Sequence, residues 1–298
     1  MGKVSKHHDK LKLLASRDDV ERIGTVRTCT SDNSFLIAQG SHGTCVYLGI
    51  DYDDNPVAVK RVLTSTRAYS LSMKKEAGHL RLLQSRRSEH IVNYRHFELG
   101  NPFSYVILDL CEESLVEFVQ RNDKGYLEAQ GPVIITEILT GLHTLHSGQK
   151  IILHMDLKPE NILVDSGGHM RLADFGISKI LGNNQTTIKT GIKGTPGWIA
   201  AESLPQKGEM EGRFKRKSDI QVVGMVSFYV LTKGEHPFGD TYRRTSNIID
   251  GNPVDLEMLT NATARDFVEW LIQHNPEDRP YAEEALQHSF LQSNTGMF

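Results

Sequence analysis

The feature of this sequence that most limits its fold is a change of pattern about one third of the way along the chain. Over residues 34–110, short apolar runs alternate with turns rich in Gly, Asp and Asn, a pattern typical of antiparallel strands. After Cys111 the apolar residues follow helical spacing, as in Ile134–Leu145. The sequence therefore predicts an α+β, bilobal chain. A small antiparallel sheet, with one helix over Leu71–Gln84, precedes a larger, mainly helical lobe.

This pattern predicts four segments: a flexible extension over residues 1–33, the strand-rich lobe over 34–110, the helical lobe over 111–292 and a tail over 293–298. The 298 residues carry a formal net charge of −3, which gives no electrostatic reason to expect a nucleic-acid partner. The three cysteines are widely spaced and predict no disulfide framework, so we expect a cytoplasmic protein. The apolar run Val222–Leu231 is too short to span a bilayer.

A glycine-bearing turn lies between the first two strands of the predicted sheet. Gly40 and Gly43 would let backbone amides approach a polyphosphate with no Cβ in the way. Glycines are common in hairpins, so the turn alone does not distinguish a phosphate site from a plain hairpin. Lys60 adds information, because a lysine inside an apolar strand needs an anionic partner such as a phosphate or a carboxylate.

The most specific segment is the run His154–Asn161, followed by the apolar residues Ile162–Val164 and then by Leu172–Gly176. This order of residues resembles the catalytic loop and the metal-binding segment of the eukaryotic protein kinases. The resemblance implies that Asp156 orients the substrate hydroxyl, that Lys158 neutralises the transferring phosphoryl group, and that Asn161 and Asp174 hold Mg²⁺.

Further segments extend the resemblance from about Phe35 to Leu291. Gly194–Glu202 resembles the end of a kinase activation segment, and Arg279 is placed to pair with Glu202 as in the family. Ser218–Asp219 resembles the start of the buried helix that supports the catalytic loop. Lys158 favours the serine/threonine type of kinase over the tyrosine type.

The resemblance also implies a set of nucleotide-binding positions. Adenine would bond the backbone of Asp109 and Cys111, and Glu117 would reach the ribose. The full set predicted to bind ATP is Ala38, Gly40, Gly43, Val46, Ala58, Lys60, Leu108, Asp109, Cys111, Glu117, Asn161, Leu163 and Asp174. The catalytic set is Asp156, Lys158, Lys60 and Glu76, and the partners are ATP and a protein substrate.

A closer likeness joins this chain to the endoplasmic-reticulum stress-sensor kinase-ribonucleases and ribonuclease L. It is carried by Asp109–Cys111, by Ser114–Val119 and by Tyr229–Gly239. That likeness leaves a homodimer open as a partner. Only seven residues follow Leu291, so we expect no nuclease activity from this chain.

Two departures from the family pattern affect the prediction. Met155 stands where these kinases usually have an arginine that clamps a phosphorylated activation segment, although Thr186, Thr187 and Thr190 lie in that segment. An ungapped alignment puts His79 opposite Lys60, whereas a three-residue insertion in the following loop would put Glu76 there. We favour Glu76, because a buried ammonium group needs an anion.

Three functions remain open on the sequence. The first is an active protein serine/threonine kinase that uses MgATP and phosphorylates itself as well as other proteins. The second is a nucleotide-binding pseudokinase that acts as an allosteric switch or dimerisation scaffold. The retention of Lys60, Asp156, Asn161 and Asp174 favours the first. A metabolite phosphotransferase is disfavoured by Arg279 and by the Ala-Ala-Glu end of the activation segment.

Overall fold

The computed structural model describes residues 5–40, 43–63, 78, 82, 88–182, 184–205 and 208–292. The helices in this part of the chain are α1 (His8–Ala15), α2 (Leu115–Arg121), α3 (Lys124–His146), α4 (Arg216–Leu231), α5 (Arg244–Asp250), α6 (Ala262–Leu271), α7 (Ala282–Ala285) and α8 (Ser289–Gln292). The strands are β1 (Glu21–Ile23), β2 (Val26–Thr28), β3 (Leu36–Gln39), β4 (Cys45–Ile50), β5 (Pro56–Leu63), β6 (Tyr94–Glu98), β7 (Phe103–Asp109), β8 (Glu113–Ser114), β9 (Ile152–Leu153), β10 (Ile162–Val164), β11 (Met170–Leu172), β12 (Lys179–Ile180), β13 (Ile188–Thr190) and β14 (Gly212–Phe214).

The chain divides into two compact units. Unit 1 contains Met1–Arg87, Val92–Glu112 and Val164–Gly168, and unit 2 contains the rest. The predicted fold class is confirmed, because unit 1 holds the antiparallel sheet and the helices from α2 onward belong to unit 2. The predicted helix at Leu71–Gln84 lies almost entirely outside the described residues.

Unit 1 is built on a seven-stranded sheet with the order β1-β2-β4-β5-β7-β6, and β3 pairs with β4. The pairings are antiparallel, as the short runs and tight turns of the sequence predicted. Alternation along β5 buries Val57 and Val59 against Tyr47 of β4 and Ile107 of β7. Lys60 therefore lies on the opposite face of the sheet, together with Val46, which is paired with it.

The amino-terminal residues differ from the prediction of a flexible extension over residues 1–33. In the described part, α1 packs on β4 through Leu14, which is 1% exposed and lies among Phe35, Leu48 and Ile50. Strands β1 and β2 then form an antiparallel hairpin at the edge of the sheet. The physical reason is that Leu11 and Leu14, three residues apart, give an otherwise charged helix one apolar side. The other predicted segment boundaries stay predictions.

Unit 2 surrounds two long buried helices. The core side of α3 presents Ile134, Ile138 and Leu142, and α4 is buried on nearly all sides because its sequence is apolar around most of its circumference. The buried polar residues of α4 include Ser218, Asp219 and Gln221, each of which forms hydrogen bonds within unit 2. These bonds connect α4 to the loops that carry the predicted chemistry.

Candidate active site

The predicted nucleotide-binding residues of the sheet share one face in unit 1. Strand register pairs Ala38 with Val46 and Val46 with Lys60. Residues directly opposite each other in an antiparallel pair point to the same side, so these three side chains form a row. Ala58 is paired with Leu108 and lies two residues from Lys60, which puts both on that same face.

The glycine-bearing turn between β3 and β4 is closed by a backbone hydrogen bond from Gly40 N to Thr44 O, 2.8 Å long. Gly43 has φ +75°, a left-handed conformation that side chains rarely adopt. Gly40 and Gly43 are exposed, as residues that meet a ligand must be. Residues 41 and 42, between them, lie outside the described part of the chain.

Asp109, the last residue of β7, is predicted to contact adenine, and hydrogen bonds hold its side chain in place. The Asp109 carboxylate accepts hydrogen bonds from Asn93 Nδ2 at 2.8 Å and from Arg95 Nε at 2.6 Å. Arg95 also donates to Asp51 at 2.7 Å, so one guanidinium joins β6 to two acidic residues. Cys111 is buried and forms no disulfide. Asp109 N donates to the Asn93 carbonyl at 3.0 Å, and the contact of the Asp109 carbonyl with adenine stays a prediction.

Glu117, the predicted ribose contact, has a structural role at the start of α2. Its Oε2 accepts from Ser114 N at 2.9 Å, and its backbone N donates to Ser114 Oγ at 3.3 Å. This reciprocal arrangement is a capping box, which stabilises the first turn of a helix. Glu117 is exposed, so its contact with ribose stays a prediction.

In unit 2, one buried carboxylate fixes the start of the catalytic loop. Asp219 of α4 accepts from the backbone N–H of His154 at 2.9 Å and of Met155 at 3.0 Å, and from His146 Nε2 at 2.9 Å. The His154 ring donates through Nε2 to the Ala173 carbonyl, and its Nδ1 accepts from Asp156 N. Burial lowers the pKa of His154, which keeps this doubly bonded ring neutral.

Asp156, Lys158 and Thr195 form the polar centre of this loop. Thr195 Oγ1 donates to Asp156 Oδ1 at 2.8 Å and accepts from Lys158 Nζ at 2.5 Å. Lys158 Nζ also lies 3.3 Å from Asp156 Oδ2. The carboxylate, the ammonium and the hydroxyl therefore meet within hydrogen-bond distance, as a site that positions a reacting hydroxyl requires.

Asn161 completes the centre from the other side of Asp156. Its Nδ2 donates to Asp156 O at 2.8 Å and to Asp156 Oδ2 at 3.0 Å. Because both bonds use the amide nitrogen, the amide oxygen is turned away from them, and no described group donates to it. Asn161 O accepts from Ala173 N at 2.9 Å, which brings Asp174 next to the same loop. Asp174 is exposed and has φ +61°, a conformation that few non-glycine residues adopt.

Met155 lies in an apolar cluster. It is 5% exposed and packs in unit 2 with Leu153, Leu181 and Phe214. Ile188 of the activation segment borders this cluster, and β13, which begins at Ile188, pairs antiparallel with β14. The position where kinases usually have an arginine therefore holds a buried apolar side chain.

The end of the activation segment is held against the loop by close backbone packing and a buried ion pair. A Cβ at Gly194, where φ is +98°, would lie 2.8 Å from Met155 O, so only glycine fits there. The side chain of Arg279 is fully buried and binds both Glu202 oxygens, at 2.8 Å and 3.0 Å. Ser218 Oγ also donates to Glu202, at 2.6 Å. The pairing of Arg279 with Glu202 was expected from the sequence.

Some predicted residues cannot be placed, and others were missed. Glu76 and His79, the alternative partners of Lys60, both lie outside the described residues. The bond of Thr195 to Asp156 was not anticipated, because nothing in the sequence relates residues 39 positions apart. The short strand β14 was also not anticipated; it includes the start of the basic run Arg213–Lys217, and its Phe214 is 3% exposed.

Comparison with known proteins gives the family. The model of the protein kinase domain matches residues 33–291. The chain is similar to the human serine/threonine-protein kinase/endoribonuclease IRE2, with 35% identity over 92% of this chain and 30% of that protein. It is also similar to the Schizosaccharomyces pombe sensor for unfolded proteins in the ER, ire1, with 33% identity over 85% of this chain and 26% of the relative. A Dictyostelium discoideum probable serine/threonine-protein kinase, irlD, matches at 31% identity over 87% of this chain and 18% of its own length.

The chain spans less than a third of the length of these relatives. Within the described residues, no helix combines the length and the hydropathy needed to cross a membrane. The resemblance to the stress-sensor kinases that the sequence predicted is confirmed by these matches. The chain belongs to the protein kinase domain family, as a serine/threonine kinase domain similar to those of the IRE proteins.

Proposed function

We propose that this chain transfers the γ-phosphate of MgATP to serine and threonine hydroxyls of protein substrates, its own hydroxyls included. The observation that carries the proposal is the hydrogen-bonded group of Asp156, Lys158, Asn161 and Thr195 in unit 2. This group supports an active kinase because it holds a carboxylate, an ammonium and an amide within hydrogen-bond distance of one another.

Each member of the group has a distinct part in the proposed reaction. Asp156 accepts the hydrogen bond of the substrate hydroxyl and takes its proton as the oxygen attacks phosphorus. Lys158 offers positive charge to the phosphoryl oxygens during transfer. Thr195 bonds to both side chains and so fixes the distance between them. The amide of Asn161 holds the second oxygen of Asp156.

The residues fit a divalent cation of the Mg²⁺ kind. Mg²⁺ prefers oxygen ligands and keeps few protein contacts when it is bound together with nucleotide phosphates. The amide oxygen of Asn161 and the carboxylate of Asp174 would supply such ligands. The bound cation neutralises phosphate charge, and Lys60 would do the same from the face of the sheet that it shares with Val46.

We further propose that control depends on the helix predicted at Leu71–Gln84 rather than on phosphorylation of the activation segment. The buried Met155 offers no cation to a phosphate group. Activity would then require that Glu76 pair with Lys60, and a homodimer could set the helix in that position. A cytoplasmic location also stays a proposal from the sequence.

The experiment that tests the function compares the wild-type chain with Asp156→Asn. Each is incubated with labelled MgATP and a generic protein substrate, and nucleotide binding is measured separately. We expect the variant to bind nucleotide but to lose transfer by about a hundredfold or more, as for a positioned base. Nucleotide binding by the wild type with no transfer above the variant would favour the pseudokinase scaffold instead.

A further inference from the structure

Arg244, the first residue of α5, lies beside the activation segment in unit 2. It is half-buried, and its Nε donates to the Gly239 carbonyl at 3.1 Å. A Cβ built on Gly197 would lie 2.8 Å from Arg244 Cδ and 3.5 Å from its Nη1. The guanidinium stem therefore packs directly on the backbone of Gly197.

Gly197 is close to the catalytic group along the chain. Two residues before it, Thr195 bonds to Asp156 at 2.8 Å. Two residues of extended chain span at most about 7 Å. Gly197 and Arg244 are therefore within reach of the side chains that flank a substrate hydroxyl bonded to Asp156.

The charge of Arg244 lacks a close counter-ion. Its one side-chain bond in the described structure is to a neutral carbonyl, and no described carboxylate forms an ion pair with it. Asp240 and Glu235 act on it only at longer range, and burial lowers its pKa. By contrast, the side chain of Arg279, fully buried, has a bidentate carboxylate partner. A half-buried arginine without such a partner is ready to receive one from a ligand.

We propose that Arg244 selects protein substrates that carry a carboxylate side chain within two residues of the phosphorylated hydroxyl. The inference rests on the proposed function and adds the substrate class to it. The carboxylate would form charge-assisted hydrogen bonds with Nη1 and Nη2 of Arg244, for which a planar guanidinium is suited. Acidic segments would be preferred over the chain's own Thr187 and Thr190, which have Lys189 and Lys193 close by.

The test uses matched peptides that differ only in having Glu or Gln at one position near the acceptor threonine, on either side of it. The ratio of kcat/KM for the Glu peptide to that for the Gln peptide is measured for the wild type, Arg244→Met, Arg244→Lys and Arg243→Met. Arg243 is the matched control, because it is the adjacent arginine and is exposed.

We expect a wild-type ratio of about ten at the best position, the size of one hydrogen bond to a charged group. Arg244→Met should bring the ratio close to one, Arg244→Lys should keep part of it, and Arg243→Met should keep all of it. A wild-type ratio near one at every position, or an unchanged ratio in Arg244→Met, would overturn the inference while leaving kinase activity in place. Failure of the wild type to phosphorylate any protein or peptide would instead contradict the proposed function.

Discussion

Thr195 holds both of the charged side chains on which the proposed chemistry depends. Its hydroxyl donates to Asp156 and accepts from Lys158. Thr195→Val keeps the shape of the side chain but removes both bonds, so Asp156 and Lys158 would lose their common support. We expect kcat to fall by about tenfold or more, since two positioned hydrogen bonds of about 1 kcal/mol each are lost. Steady-state kinetics with a protein substrate gives this value.

Thr195→Ser is the matched control, since it keeps the hydroxyl and removes only a methyl group. We expect it to retain kcat within a small factor of the wild type. Equal rates for the Val and Ser variants would mean that the hydroxyl does not position the catalytic group.

At the residue scale, the sequence could nominate candidate site residues where they occur in a fixed order. Asp156, Lys158 and Asn161 were identified because they stand in one short run, and Asp174 because an apolar strand separates it from them. Contacts between distant segments leave no comparable pattern in the sequence. The burial of Met155 against Phe214 depends on how two remote loops pack, so only the absence of an arginine could be read from the sequence.

The activation segment is held by strand pairing and apolar packing. Strand β13 pairs with β14 from Ile188↔Phe214 to Thr190↔Gly212, and β12 pairs with β9. Ile188 borders the Met155 cluster. These contacts are formed by the backbone and by apolar side chains of unit 2.

Replacement of Thr186, Thr187 and Thr190 together by alanine should therefore lower activity by less than about tenfold. Position 155 holds a methionine, which cannot bind a phosphate on these threonines as an arginine would. Glu76→Ala should cost much more, since it would remove the carboxylate that is proposed to pair with the Lys60 ammonium. Initial rates of the two variants and the wild type are compared at saturating MgATP.

His79→Ala is the control for the choice between Glu76 and His79, and it should be nearly silent. A large loss in the triple threonine variant, together with little effect of Glu76→Ala, would contradict both the regulatory proposal and that choice.

The elements that sequence reasoning missed are short. Helix α1 has eight residues and only a narrow apolar side, and β14 has three residues within a basic run. Such segments acquire their structure from the surfaces on which they pack, β4 for α1 and β13 for β14. The long helices α3 and α4 could be predicted from the sequence because each contains many apolar residues of its own.

The molecule as a whole should lose stability in mild acid because it buries neutral histidines. Burial lowers the pKa of His236 to about 3, well below the ordinary value of 6.5, and lowers that of His154 as well. Below about pH 6.5, the His236 side chain binds a proton in the unfolded chain but stays neutral in the folded chain. His236 therefore contributes stability that is complete above pH 6.5 and is lost as the pH falls from 6.5 toward 3.

Between pH 7 and pH 5.5 the loss from His236 alone should be about 1 kcal/mol, by the conversion of about 1.4 kcal/mol per pH unit. Urea unfolding at the two pH values measures it for the wild type and for His236→Asn, which keeps an acceptor for Phe238 N. The pH-dependent loss should be smaller in the variant. His8→Asn, at an exposed position, should lose as much as the wild type. The same loss in all three proteins would contradict this assignment.

The division into a strand-rich part and a helical part could be predicted for the whole chain, because it depends on periodicity repeated over many residues. The binding of nucleotide could be predicted only through resemblance, since the predicted residues come from segments far apart in the sequence. Within unit 1, strand register brings Ala38, Val46 and Lys60 onto one face of the sheet.

The most direct test of the central claim is the initial rate of phosphoryl transfer by protein that has first been fully dephosphorylated. The wild type should transfer phosphate from MgATP to a protein substrate without a lag, because Met155 offers no cation to a phosphate group and the activation segment pairs with β14. Asp156→Asn, treated in the same way, should be slower by about a hundredfold or more. No transfer by the dephosphorylated wild type, or an equal rate in the variant, would contradict the account.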